Sequence, residues 1–131
     1  MISNQIIYNC IREANEISKV EFVVYDCIGN NIAQTEKAYL DDKKLILSFL
    51  QSGADTQEAD GAFLFKVYED NQPNYILSSK GEADTFLVGK LIVSQLQSLI
   101  TAYKEKVDRN SFYQNLLLDN LLLVDIYNRA Q

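Results

Sequence analysis

Carboxylates are the only side chains in this 131-residue sequence that cluster densely enough to suggest acid–base chemistry. Asp41-Asp42 forms one group, and Asp55, Glu58 and Asp60 form another. Both fall in segments that read as solvent-exposed. The second group is spaced somewhat like a calcium loop, but it lacks the central glycine and the distal bidentate glutamate of that motif. Histidine is absent, which removes Ser-His-Asp and Cys-His catalysis, imidazole general bases and every His-containing zinc site. The five glycines, at 29, 53, 61, 81 and 89, stand alone and build no phosphate cradle. Cys10 and Cys27 have no CxxC partner and read as reduced thiols. The sequence therefore predicts no enzyme, no metal and no cofactor.

A binding surface is a different matter. Lys66 interrupts an apolar strand pattern between Leu64 and Tyr68, while Phe63, Phe65 and Val67 take the opposite face and call for helices to cover them. Ser78 or Ser79 from a neighbouring strand and Tyr25 from an earlier hairpin could share the face of Lys66. A cupped sheet surface with a lysine, hydroxyls and tyrosines suits a small carboxylate or sugar acid, because a partly desolvated ammonium favours an anionic partner. Lys66, Tyr68, Tyr25, Ser78 and Ser79 are the candidate ligand-binding residues. A lysine can equally lay its stem over apolar neighbours and keep its charge in water.

The elements that must position these residues follow from periodicity. Ile2, Ile6, Cys10, Ala14 and Ile17 recur at helical spacing, with Ile7 and Ile11 widening the stripe. Val20 to Tyr25 alternates as a strand, Gly29-Asn30-Asn31 turns it, and Ile32 to Gln34 returns. A second helix starts near Asp41 or Asp42 and ends at Gly53, with Leu45, Leu47, Phe49 and Leu50 on its apolar side. Ala54 to Asp60 reads as a surface loop. Ala62–Tyr68 and Tyr75–Lys80 read as strands joined by a six-residue loop around Pro73. From Asp84 the pattern is helical, with Val88, Ile92, Leu96, Leu99, Tyr103 and Val107 in one stripe and Leu91 and Ile100 beside it. Strand pairs split by a helix predict an α+β fold with an antiparallel sheet.

The last helix carries more apolar surface than one sheet can cover, which predicts a partner helix. Leu91, Leu96 and Ile100, with Leu116, Leu117 and Leu121 further on, are the candidate residues of a homodimer interface. The net charge of −6 disfavours contact with phosphate backbones or anionic lipid. The longest apolar region, Leu116 to Tyr127, is broken by Asp119, Asn120 and Asp125 and is not a membrane span. With no secretory signal pattern at Met1, the chain reads as cytoplasmic. It stops at Asn128-Arg129-Ala130-Gln131 inside a helical pattern, as a domain cut from a longer chain would.

Two stretches carry a family likeness. Gln5 to Ile11 followed by the Val20-Glu-Phe-Val-Val-Tyr-Asp26 hairpin with Gly29-Asn-Asn-Ile-Ala33 resembles a PAS- or GAF-like sensor, and the whole order of elements resembles that PAS/GAF/profilin-like group. Asp108-Arg-Asn-Ser-Phe-Tyr-Gln-Asn-Leu-Leu-Leu-Asp-Asn120, followed by Ile126-Tyr-Asn-Arg-Ala130, resembles the connector of carbohydrate-diacid-type and purine-catabolism-type transcription regulators. That resemblance implies a bacterial ligand-responsive dimer, with a sensor over residues 1–107 and a helical connector over 108–131. DNA would be bound only by a separate helix-turn-helix domain beyond it. The same order of elements is also similar to roadblock- or longin-like interaction modules, which need no small-molecule ligand.

Overall fold

The computed structural model describes residues 2–35 and 42–106. Eight elements follow in the order α1 (Asn4–Ser18), β1 (Glu21–Asp26), β2 (Asn31–Gln34), α2 (Lys43–Gln51), β3 (Thr56–Ala59), β4 (Ala62–Glu69), β5 (Gln72–Lys80) and α3 (Thr85–Lys106). The five strands form one antiparallel sheet in the order β2-β1-β5-β4-β3. The fold is thus α+β, with a helix at each end of the described chain.

Strand alternation sends two sets of side chains to opposite faces of the sheet. Phe22, Val24, Phe65, Val67, Tyr75 and Leu77 pack with Ile7, Cys10 and Ile11 of α1 and with Ile92, Leu96 and Ile100 of α3. Val23, Tyr25, Leu64 and Ile76 pack with Ile46 and Phe49 of α2. The sheet is therefore covered on both sides, and the expectation of one open face is corrected. The reason lies in the connection: α2 links β2 at one edge to β3 at the other, so it crosses the face that α1 and α3 leave uncovered.

Each helix begins on a side-chain cap that the sequence supplies. Ser3 accepts from the Ile6 amide at 3.3 Å, Asp42 from Leu45 at 3.1 Å and Asp84 from Leu87 at 3.0 Å. Such an acceptor satisfies one of the orphan N–H groups of a first helical turn. Asp42→Ala is expected to lower stability by about 1 kcal/mol, whereas Asp42→Gly should lose only a few tenths, because glycine is itself tolerated at this position. Equilibrium urea unfolding of the pair distinguishes the loss of a cap from a generic surface effect.

Two tight turns were not foreseen at their true length. Asp60-Gly61 (φ 51° and 77°) joins β3 to β4, and Asp70-Asn71 (φ 52° and 64°) joins β4 to β5. Positive φ at both central residues is the hairpin turn whose twist matches the strands, which explains the Asp-Gly and Asp-Asn pairs. The stretch read as a polar loop from 54 to 60 is therefore mostly β3, an edge strand whose side chains Thr56, Gln57 and Glu58 are polar because one side meets water. The six-residue loop read at 69–74 shrinks to two residues, with Pro73 paired opposite Tyr68 at an irregularity of the ladder. In α1 the buried stripe is Ile7, Cys10 and Ile11, rotated from the one expected, and it leaves Ile6 and Ile17 exposed.

Helix α3 is, among the described helices, the one long and apolar enough to cross a bilayer by length and composition. Its Ile92, Leu96 and Ile100 face is packed on the sheet. Val107 and the connector residues Leu116, Leu117 and Leu121 lie outside the described residues.

Candidate functional site

Lys66 sits on the α2 face of β4, in one cross-strand row with Ile76 and Tyr25. Two strand spacings separate Lys66 from Tyr25, about 9.6 Å. Ser78 occupies the next row, between Val23 and Leu64. Tyr25, Lys66 and Ser78 thus share a face as the alternation required, but α2 lies over it. All three are buried. The Lys66 ammonium donates to the Ser52 carbonyl at the C-terminal end of α2 and stands 5.2 Å from the Phe49 ring centroid. It therefore neutralises the partial negative charge of a helix end and makes a cation–π contact.

Ser79 points to the opposite face. Its hydroxyl donates to the Thr85 carbonyl at 2.9 Å and so ties the end of β5 to the first turn of α3. The five candidate residues consequently do not form one cup. The space imagined between them is filled by Ile46 and Phe49, and among the described residues no buried side-chain nitrogen or oxygen lacks a partner.

Lys66→Met is expected to lose about 1–2 kcal/mol of stability, since the thioether keeps the packing on Phe49 but cannot hold the Ser52 carbonyl. Lys66→Arg should recover part of that loss. Thermal unfolding of both variants checks this.

Tyr68 leads to a different place. Beyond Phe65, the last residue of β4 paired with β3, the outer edge of β4 is no longer part of a ladder. Two contacts serve that edge instead. The Lys66 amide donates to the Asp55 carbonyl at 3.0 Å, and the Tyr68 amide donates to the Gln97 side-chain Oε1 of α3 at 3.2 Å. A bare strand edge invites pairing with other chains, and here a loop and a helix side chain occupy it. The Tyr68 hydroxyl donates to Asp55 Oδ1 at 2.6 Å, and this bond to the carboxylate holds the phenol pKa above its ordinary value. It stays a donor at neutral pH.

Between that edge and α3 lies a recess of about 290 Å³, with Lys66, Tyr68 and Asp55 on the sheet side and Lys90, Ser94 and Gln97 on the helix side. Phe65 and Val93 make its apolar floor. The sequence singled out Lys66 and Tyr68 but missed the three helix residues. Their signal was present: positions 90, 94 and 97 follow helical spacing beside the core stripe of Ile92, Leu96 and Ile100.

A second groove, of about 350 Å³, runs between α1 and α3 and is lined by Cys10, Ala14, Ile17, Val88, Leu91 and Ile92, among others. Leu91 is 61 % exposed and Ile17 86 % exposed on its rim, with Leu87 also exposed nearby. Leu96 and Ile100, grouped with Leu91 as dimer residues on sequence grounds, belong to the core instead, at 2 % and 4 % exposure. Their spacing of four and eight residues from Ile92 places them on the face that the sheet covers, whereas Leu91 is turned away from it.

Among the described residues no three acidic or thiol groups converge as a metal site needs. No family model, curated protein or solved structure matches the chain.

Proposed function

We propose that this chain is a ligand-sensing, dimerising regulatory domain of a bacterial cytoplasmic transcription regulator, PAS/GAF-like in type and non-catalytic. The observation that carries the reading is the double duty of α3. One flank of this 22-residue helix walls the recess beside Tyr68, and its other end leads into residues 107–131. That terminal segment is the stretch whose sequence resembles the connector of carbohydrate-diacid-type regulators. A small molecule seated against α3 could therefore favour one packing of the helix on the sheet over another, which is all that transmission of a signal requires. The exposed apolar residues Ile17, Leu87 and Leu91 supply a face for a second copy of the chain. DNA would be contacted by another domain, consistent with the acidic net charge of −6.

A specific observation also favours a second reading. The face of Tyr25, Lys66 and Ser78 is closed by α2 and every described buried polar side chain is satisfied, as suits an interaction scaffold with no ligand. A thermal-shift screen of the 131-residue chain against sugar acids, dicarboxylates, purine-pathway metabolites and nucleotides separates the two. A specific ligand at a hundred times its dissociation constant stabilises the fold by about 2.7 kcal/mol. Such a shift supports the sensor, and a flat screen on a folded dimer supports the scaffold.

A further inference from the structure

We infer that two copies of the chain pair antiparallel along α3 and its continuation, so that residues 112–126 of each copy cover the α1–α3 groove of the other. The inference rests on the dimer of the proposed function and names the surface and the orientation of its interface.

The outward side of α3 is unlike an ordinary solvated helix face. Leu91, Gln95, Ser98, Ala102 and Glu105 are all exposed along it, and only Glu105 carries a charge. A helix that faces water usually sets its charged side chains there. Val88, Leu91 and Gln95 also line the groove against α1, so the outward side and the groove form one surface.

The sequence continues this surface beyond Lys106. Two ladders of seven-residue spacing run through it, 88-95-102-109-116-123 and 91-98-105-112-119-126. Alternating steps of three and four residues are the seam of a coiled coil. From Lys90 to Gln131 there is neither glycine nor proline, the residues that most often end a helix and turn the chain back. The pattern therefore favours a segment 112–126 that leads away from its own groove and reaches that of a partner.

What stands on the ladders sets the orientation. In an antiparallel pair centred on residue 107, Val88 meets the partner's Ile126 and Leu91 meets the partner's Leu123, both in the groove. Small residues meet large ones, with Ser98 opposite the partner's Leu116 and Ala102 opposite the partner's Phe112. Gln95 stands opposite the partner's Asp119, polar against polar. Glu105 stands opposite the partner's Arg109, and two-fold symmetry makes this pair of opposite charges twice. A parallel pair in register would set Glu105 against Glu105 and Arg109 against Arg109, which repels.

Charge exchange in the 131-residue chain tests the pairing. Sedimentation equilibrium should show a dimer, and Glu105→Arg or Arg109→Glu alone should raise its dissociation constant about tenfold or more, because each sets like charges opposite one another. The double variant Glu105→Arg/Arg109→Glu should return it close to the starting value. Orientation is read independently by mixing two chains that both carry Cys27→Ser, one with Leu91→Cys and the other with Leu123→Cys; the remaining cysteine, Cys10, is buried. Mild oxidation is expected to join one kind of chain to the other in preference to its own kind. A dimer that the double exchange does not rescue, or one in which Leu91→Cys chains link to each other, would overturn the antiparallel pairing and leave the dimer reading intact. A folded chain that stays monomeric at high concentration would overturn both.

Discussion

Gly89→Ala is expected to destabilise the chain by roughly 1–2 kcal/mol, although the same change in an isolated helix would be favourable by about 1 kcal/mol. Gly89 is buried in the second turn of α3, directly against the Phe65 ring of β4. A Cβ added there would lie 2.3 Å from Cε2 and 2.6 Å from Cζ of Phe65, well inside contact distance. Phe65 is 1 % exposed and packed among the α1–α3 core, so its ring cannot swing into water to make room. Either α3 lifts from the sheet or the ring leaves its rotamer, and overpacking of this kind costs about 1–3 kcal/mol. The double-mutant cycle decides the cause. With Phe65→Leu already in place, Gly89→Ala should become neutral or stabilising, because the clashing ring atoms are gone and the helix propensity remains. Urea unfolding of the four proteins measures the coupling, and additive effects would show that the close approach is not what retains the glycine.

The position has a functional corollary. Moving α3 by one turn along the sheet would bring Val93 towards the place of Gly89. Valine carries a side chain that Phe65 would not admit. Gly89 therefore restricts which packings of α3 are accessible, and a signal that passes through this helix has to be a tilt, a rotation or a lift more than a slide.

Leu96→Asp is expected to abolish folding, whereas Leu91→Asp should leave the chain folded and disrupt the proposed dimer. The two leucines stand five residues apart on α3, but they are opposite in environment. Leu96 is 2 % exposed and in contact with the sheet core, and an unpaired carboxylate there loses hydration with nothing to replace it, a penalty of several kcal/mol. That approaches the whole stability of an ordinary domain. Leu91 is 61 % exposed on the α1–α3 groove, so aspartate there stays hydrated. Circular dichroism and light-scattering mass read the two outcomes separately. A folded Leu91→Asp variant of unchanged dimer mass would remove the α1–α3 groove from the interface.

How far the sequence reached is best seen at particular residues. The order of helices and strands followed from period: β1 alternates, α3 repeats every three to four residues, and Asp42 and Asp84 cap where short polar side chains precede apolar runs. The strand β3 was not legible by alternation, because Thr56 to Ala59 is a polar edge with little apolar signal. The turn that follows it did carry a signal, Asp60-Gly61, the dipeptide that two-residue hairpins favour. Recognising it would have revealed β3.

The candidate site was legible only in part. Alternation correctly grouped Tyr25, Lys66 and Ser78 on one face, but period-two patterning does not say what covers a face. The α2 crossover, which does, is a long-range fact about strand order. Lys90, Ser94 and Gln97 carry no apolar signal, and only the placement of the β4 edge against α3 brings them beside Tyr68. The apolar residues of α3 likewise divided into core and surface only when the sheet fixed its rotation, which separated Leu96 and Ile100 from Leu91.

In the proposed sensor, α3 is the element that carries the state of the domain outward. Hydrogen–deuterium exchange of the 131-residue chain tests it most directly, compared with and without whichever compound of the thermal-shift screen raises the unfolding temperature. Slower exchange across Thr85–Lys106 is expected in the bound state if the ligand sits in the recess between β4 and α3 and so fastens the helix to the strand. Unchanged exchange in α3, or a folded chain whose unfolding no compound of the thermal-shift screen alters, would contradict it.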